Sequence, residues 1–380
     1  MTDAAQAFDK ALEGPKNART DTASDWWTAG VAMLSVRFIQ GFIYWGGGSR
    51  RFIYAPAKLD PHATSWMANK FQTAMPGALF GLDHLMSYML THFALLYAGV
   101  IVFSAVELVF GAMLMVGLLT RLAALVSMGL SVLLMAMFGW QGATCIDEWT
   151  MAACNLAMGA TLFLGGGGAY SLDGRLLRSR AALAGQAWFR WFGGALPLPL
   201  SLGAYRRLGL AVFAFVAIYN VGTYNYYRGS VISPFHGGPV SPTKHHLTLT
   251  KAVVLPGGGV RFHVYLDAGT PEAPVHVMQA ALLDAGKKPI VQWDAKALAK
   301  TPKSAFANDY PYNKFSPGPF GLRAPVGAAA TITLTPPAAA ATAGAASASA
   351  APPTPGPAPQ AAYLKLTDVD GQAFVAPIGG

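Results

Sequence analysis

The chain has 380 residues, of which 53% are hydrophobic and 12% charged, with a mean hydropathy of +0.37. That balance excludes an ordinary soluble globular protein, and the length exceeds what a membrane bundle alone needs, so two parts are expected. The net charge of +9 comes from Lys and Arg dispersed over loops without a recognised binding motif, which argues against a nucleic-acid partner.

The polar start, MTDAAQAFDKALEGPKNART, has no apolar core followed by a small-residue cleavage site, so residues 1–27 are expected to be a cytoplasmic segment and not a cleaved signal. Apolar runs then predict four spans, over about 28–45, 92–119, 122–139 and 150–165, within a membrane domain at 28–174. The run HFALLYAGVIVFSAVELVFGAMLMVGLL carries one ionisable residue near its centre, Glu107. A carboxylate in hydrocarbon costs several kcal/mol unless it is neutralised or paired, so Glu107 is expected to face the bundle interior. Arg37, near the middle of the first span, is the expected partner. Two readings of the pair stay open: a buried salt bridge that fixes helix register, or a group that handles protons and binds ligand.

The connection at 175–207 carries Arg175, Arg178, Arg180, Arg190, Arg206 and Arg207, whereas the third-to-fourth loop has Asp147 and Glu148 and no base. Cytoplasmic loops hold back positive charge, so the N-terminus is expected inside and the C-terminal part outside. The segment 46–91 then falls outside despite Arg50, Arg51, Lys58 and Lys70, which draws attention to those cations. Trp188, Phe189, Trp191 and Phe192 around Arg190 predict a segment lying in the membrane interface. A fifth span is expected within 208–227.

Beyond it, HHLTLTKAVVL, GVRFHVYLDA, PVHVMQAALLD, KPIVQW, AAATITLTP, AYLKLTD and QAFVAP concentrate β-formers between Gly and Pro. They predict an outer β-sandwich over 228–380. Residues 336–362 are almost wholly Ala, Pro, Gly, Ser and Thr, a composition that cannot bury a core, and are expected to be a flexible excursion between strands.

RFIQGFIYWGGGSRRFIY, SAVELVFGAMLMVGLLTRLAAL and GGGGAYSLDG together resemble the DoxD subunit of thiosulfate:quinone oxidoreductase, within the DoxX-like group of four-helix membrane proteins. FANDYPYNKF and GLRAPVGAAATITL resemble its partner DoxA, a single span bearing an outer β domain. The resemblance implies an α + β membrane protein with a DoxX-like four-helix bundle, a fifth transmembrane helix and a C-terminal periplasmic β-sandwich, placed in a bacterial inner membrane. It also implies oxidation of two thiosulfates to tetrathionate, with the electrons passed to a membrane quinone (ubiquinone, menaquinone or a relative). A terminal oxidase or a second copy of the chain would be the protein partner. A quinone-coupled oxidase of protein dithiols and a non-enzymatic DoxX-like scaffold are the rival readings.

Candidate residues follow from that chemistry. Arg50 and Arg51, after WGGGS at the outer end of the first span, are expected to bind the thiosulfate dianion with paired donors, or to meet lipid headgroups. His84 and His92 flank the entrance of the second span and are candidates for the same anion or for proton transfer. Trp45, Trp140 and Trp149 supply aromatic surface for a quinone ring, or serve as interfacial anchors. Reduction of a quinone takes up two protons, which a carboxylate such as Glu107 is suited to supply. Cys145 and Cys154 are the only cysteines; they are read as a structural disulfide, as unpaired thiols, or as a redox pair that holds a thiosulfonate intermediate. His236, His245, His246, His263 and His276 have no accompanying Cys and alternate over strand faces, so no metal site is expected. Flavin, haem and iron–sulfur signatures are absent from the sequence.

Overall fold

The computed structural model describes residues 28–141, 148–168, 170–228, 244–336 and 360–379. Residues 1–27, Cys145, Asp147, His236 and most of the Ala/Pro-rich stretch lie outside the described residues. The chain divides into two compact units, one built from residues up to Gly47 with Val106–Gly129 and Asn155–Val216, the other from Gly48–Ala105, Leu130–Cys154 and Ala217–Gly380.

The helices, in chain order, are α1 (Leu34–Ser49), α2 (Met67–Ala74), α3 (Leu82–Thr91), α4 (Phe93–Val116), α5 (Thr120–Phe138), α6 (Glu148–Gly165), α7 (Leu172–Ser179), α8 (Ala187–Phe192), α9 (Leu202–Arg228) and a short α10 (Ala295–Ala299). Among the described residues three helices, α4, α5 and α9 over Leu202–Tyr227, are each by themselves long and apolar enough to cross a membrane. Five spans were expected. α1 itself has 16 residues, but helical residues 28–32 lead straight into it, with the Met33 N–H donating to the Ala29 carbonyl and the Arg37 N–H to the Met33 carbonyl. α6 has 18 residues and opens on Glu148 and Trp149. The segment 46–91, expected as a plain loop, instead holds a π-helical turn at Arg50–Tyr54, a 3₁₀ turn at Pro56–Leu59, and α2 and α3.

In the first unit, α1 and α4 cross at backbone contact. A Cβ at Gly111 would lie 2.3 Å from the Trp45 backbone nitrogen, and one at Gly41 2.6 Å from that of Met115, so only glycine admits the crossing. The SLDG stretch forms a polar knot. Ser171 caps α7 by accepting from the Gly174 N–H at 3.1 Å. Asp173 is fully buried. Its carboxylate accepts from the backbone N–H of Leu119 (2.7 Å), of Thr120 (3.0 Å) and of Gly194 (2.7 Å), and from the Thr120 hydroxyl (2.9 Å). Arg121, also fully buried, donates to the carbonyls of Phe163, Arg190, Gly193 and Leu196. The glycine run beside them is what lets these segments meet: a Cβ at Gly167 would lie 2.3 Å from Thr120 Oγ1, and Gly166 has φ +74°. On α8, Phe189 is buried while Trp188, Trp191 and Phe192 are exposed beside Arg190.

Among its described residues the second unit contains ten strands: β1 (His246–Val254), β2 (Val260–Ala268), β3 (Val275–Leu283), β4 (Pro289–Trp293), β5 (Phe306–Asn308), β6 (Ser316–Gly318), β7 (Gly321–Ala324), β8 (Ala329–Leu334), β9 (Tyr363–Asp368) and β10 (Ala373–Pro377). They form a four-stranded sheet in the order β1-β2-β8-β5 and a six-stranded sheet in the order β10-β9-β3-β7-β6, with β4 on β3. Every predicted β segment is a strand. Val260, Phe262, Val264 and Leu266 of one sheet and Val277, Leu282, Leu364 and Leu366 of the other meet in one apolar core, which Trp140 and Tyr227 from helix ends also enter.

FANDYPYNKF joins this domain to α2 and α3. Its Asn308 side chain accepts from the Phe315 N–H (2.7 Å) and donates to the Phe315 carbonyl (3.1 Å), closing the loop. The buried Gln72 of α2 donates to the carbonyls of Asn313 (3.0 Å) and Gly327 (2.8 Å) and accepts from the Asn313 N–H (2.8 Å). Tyr310 shares a 2.7 Å hydrogen bond with Ser87.

Candidate functional site

α1 does not stop where its apolar run ends. It continues into the π-helical turn, where the Ala55 N–H donates to the Arg50 carbonyl five residues back, and Pro56 then starts the 3₁₀ turn. The turn presents Arg50 and Arg51, and the 3₁₀ turn returns Lys58 beside them. Lys70 arrives from α2 and forms an ion pair with Glu148 of α6. Arg51 lies over the Phe103 ring at 5.9 Å and donates to Ser104 Oγ at 3.4 Å. Lys70 lies over the Phe138 ring at 5.6 Å.

Burial, then the positive charges of Arg50, Arg51 and Lys70, push the Lys58 ammonium below the ordinary lysine range, with Glu148 opposing. Around Lys58 the positive neighbours Arg50, Arg51 and Lys70 thus outnumber the opposing carboxylate, Glu148. Positive charge of this kind raises the local concentration of anions, and a guanidinium group has the paired donors that match an oxyanion.

Arg50 and Arg51, expected from the sequence, are therefore brought together, and Lys58, Lys70 and Glu148 join them. The sequence signal for the two lysines was their place in a segment assigned to the outer side against the charge rule. His84 is exposed, with its ring 3.7 Å from Asp83. His92 is bonded through Nδ1 to the Tyr88 carbonyl at 2.8 Å and stacked on the Tyr88 ring.

Glu107 is buried at 5% exposure, as expected. Its Oε2 faces Gly47, where a Cβ would lie 3.2 Å away. Arg37 is also buried, but its guanidinium donates to the carbonyls of Gly167 and, at 3.1 Å, Tyr170, and it lies against Gly117. Gly47 and Gly117 are each ten positions from the other charged residue on their helices, so the two groups stand about 15 Å apart along the axes. The expected pairing at equal depth is corrected by this offset. Between the two charges, Gln40 donates to Ser127 Oγ (3.0 Å) and the Asn155 carbonyl (2.8 Å), and Tyr44 to the Ser127 carbonyl (2.9 Å). Arg37, Gln40, Tyr44 and Gly47 fall within an arc of about 80° on α1, a polar stripe.

Of the three candidate tryptophans, Trp140 is corrected from ligand surface to core. It is 1% exposed, donates to the Ala74 carbonyl at 2.8 Å, and a Cβ at Gly77 would lie 2.3 Å from its ring. Trp149 donates to Thr223 Oγ1 at 2.9 Å and packs edge-on against Tyr224. Trp45 continues a row of rings on α1, 6.3 Å from Phe42, which is 6.5 Å from Phe38; the two phenylalanines are exposed.

Cys154 is a free, exposed thiol, six positions after Glu148 and so about 120° from it around α6. Among the described residues no group of three or more His, Cys, Asp or Glu stands close enough to hold a metal. His246 bonds Asp267 at 2.6 Å and His263 bonds Asp309 at 2.9 Å.

Compared with known families, residues 32–198 match the model described as TQO small subunit DoxD, and residues 227–348 match the model described as TQO small subunit DoxA. No solved structure matches the chain.

Proposed function

The chain belongs to the DoxD and DoxA families, small subunits of thiosulfate:quinone oxidoreductase joined here in one polypeptide, and on that premise we propose that it oxidises two thiosulfates to tetrathionate and reduces a membrane quinone. The observation that carries the substrate half is the cluster of Arg50, Arg51, Lys58 and Lys70. Two dianions repel each other, and cations in a half-buried site lower that repulsion where their outer sulfurs must meet. One S–S bond forms between those sulfurs, and two electrons leave.

A quinone supplies the chemistry that accepts these two electrons together with two protons. The exposed rings of Phe38 and Phe42, continued by Trp45, offer it an aromatic face on α1. Glu107 holds the proton for that uptake. Direct coupling of two bound thiosulfates is favoured over a covalent route through Cys145 and Cys154, because Cys154 stands about 120° around α6 from Glu148.

Thiosulfate-dependent quinone reduction by the purified chain tests this reading. Lys58→Met should raise the half-saturating thiosulfate concentration on the order of tenfold while changing the maximal rate less. Because the ammonium is pushed down, a rise in pH removes its charge earlier than for an ordinary lysine. Thiosulfate affinity should therefore be full at low pH and weaken on the alkaline side. Lys58→Arg, whose charge persists, should abolish that limb. Unchanged saturation in Lys58→Met would discard the site, and loss of tetrathionate formation in a folded variant with Cys145 and Cys154 both replaced by Ser would restore the covalent route.

The proposed placement is a bacterial inner membrane, with the N-terminus cytoplasmic and the β domain periplasmic, supported by the arginines at 175–207. Reporters fused after Gly174 and after Gly269 should read cytoplasmic and periplasmic; the reverse pattern would invert the placement.

A further inference from the structure

α3 carries apolar side chains on two sides. Met86 and Leu90, four apart, are buried in a cluster against which Tyr265, Tyr310 and Tyr312 of the β domain pack. Ser87 shares its hydrogen bond with Tyr310 there. Leu85 and Tyr88, three apart and about 150° around the axis from that pair, are 50% and 55% exposed. A helix that is apolar all round is ordinarily covered all round, yet this side of α3 lies open.

The turn before α3 exposes a further ring. Phe80 has φ +59°, a backbone conformation that is an outlier for a bulky residue, and it is 78% exposed. Gly81, at φ +75°, follows it and caps the helix. Strain that holds an aromatic ring out of the fold points to a surrounding that receives the ring.

The neighbouring helix identifies that surrounding. α3 ends at Thr91 and α4 begins at Phe93, which is itself exposed. α4 is long and apolar enough to cross a membrane, so α3 stands one residue from where that helix would enter hydrocarbon. His92, at φ −121° and ψ 84°, breaks the helix between them, and α3 does not prolong the span. Its sequence, LDHLMSYMLT, has no Lys or Arg and a single acid.

We propose that α3, with Phe80, is an in-plane membrane anchor: it lies at the level of the lipid headgroups with Leu85 and Tyr88 toward the acyl chains, and it holds the β domain, bonded to its other side, at the bilayer surface. This rests on the reading of α4 as a membrane span and not on the proposed chemistry. Tyr88, stacked on the His92 ring at 4.1 Å, suits that depth, because an aromatic body with a polar tip is favoured where hydrocarbon meets headgroup. Leu and Phe on one side of a short helix add the apolar surface that an interfacial helix buries.

Photolabelling of the full native chain in phosphatidylcholine vesicles tests the anchor. One set of vesicles carries a carbene precursor near the carbonyl end of the acyl chain, and another carries it near the terminal methyl. Peptide mapping should find the carbonyl-end label on Phe80, Leu85 or Tyr88. The methyl-end label should appear on the exposed Val102, nine residues and about 14 Å along α4 from Phe93, and be absent from α3. Label on Val102 with none of either kind on residues 80–88 would overturn the anchor. So would methyl-end label on α3, which would place the helix deep in the bilayer, and so would crosslinks between two chains through residues 80–88, which would assign the open side to a second copy. If neither helix takes label, α4 is not in lipid and the membrane span fails together with the anchor.

Discussion

Glu107→Gln should insert and fold as the native chain does, yet reduce quinone more slowly by on the order of 100-fold, the lower end of what a positioned proton donor contributes. The substitution keeps the volume of the side chain, exchanges one acceptor oxygen for an NH2 donor, and removes its charge and its ability to take up a proton. Glu107 is buried on α4, a helix long enough to span a bilayer, where an ionisable group persists only with a role or a partner. Its carboxylate faces Gly47, a position without a side chain, so the amide meets no new steric demand. Steady-state quinone reduction measured across pH decides it. Thiosulfate binding should remain native, and a normal rate at every pH would leave Glu107 a structural residue.

The largest effect on stability is expected at Asp173. Asp173→Ala would leave the N–H groups of Leu119, Thr120 and Gly194 and the Thr120 hydroxyl without their common acceptor. Removing one partner from such a buried charged network costs roughly 3–5 kcal/mol, a large part of the total stability of an ordinary domain. Asp173→Asn keeps one acceptor oxygen and should lose less. Denaturant or thermal unfolding in detergent measures both; an Asp173→Ala protein with native resistance would show that other bonds hold the knot.

Asp173 also shows where reading a sequence stops. SLDG announces a capped helix, and Ser171 caps it, but nothing local tells that the next acid turns inward to collect donors from residues 119–120 and 194. The apolar runs were legible because length and hydropathy are local properties, and the strands because β-formers cluster between Gly and Pro. α9 starts earlier than expected, at Leu202, since Arg206 and Arg207 can keep their heads in water while their stems lie along a helix.

Depth was harder. Arg37 and Glu107 each lie near the middle of an apolar run, but the glycine crossing of α1 on α4 sets the register, and it offsets the two charges. Trp140 has the composition of an interfacial anchor and the surroundings of a core residue, a difference that only tertiary contacts make. The cation cluster was half legible. Arg50 and Arg51 are adjacent in sequence, whereas Lys58, Lys70 and Glu148 reach them through two short turns and two helices.

The clamp of Gln72 on Asn313 and Gly327 connects a DoxD segment to a DoxA segment. Where two such segments are separate chains, that contact must be bought from solution at cellular concentrations. Here covalent linkage makes the encounter intramolecular, so an effective concentration replaces that of a free partner. A handful of hydrogen bonds and a few buried rings then suffice to keep the β domain seated. The same linkage fixes the ratio of the two segments at one to one, whatever the level of expression.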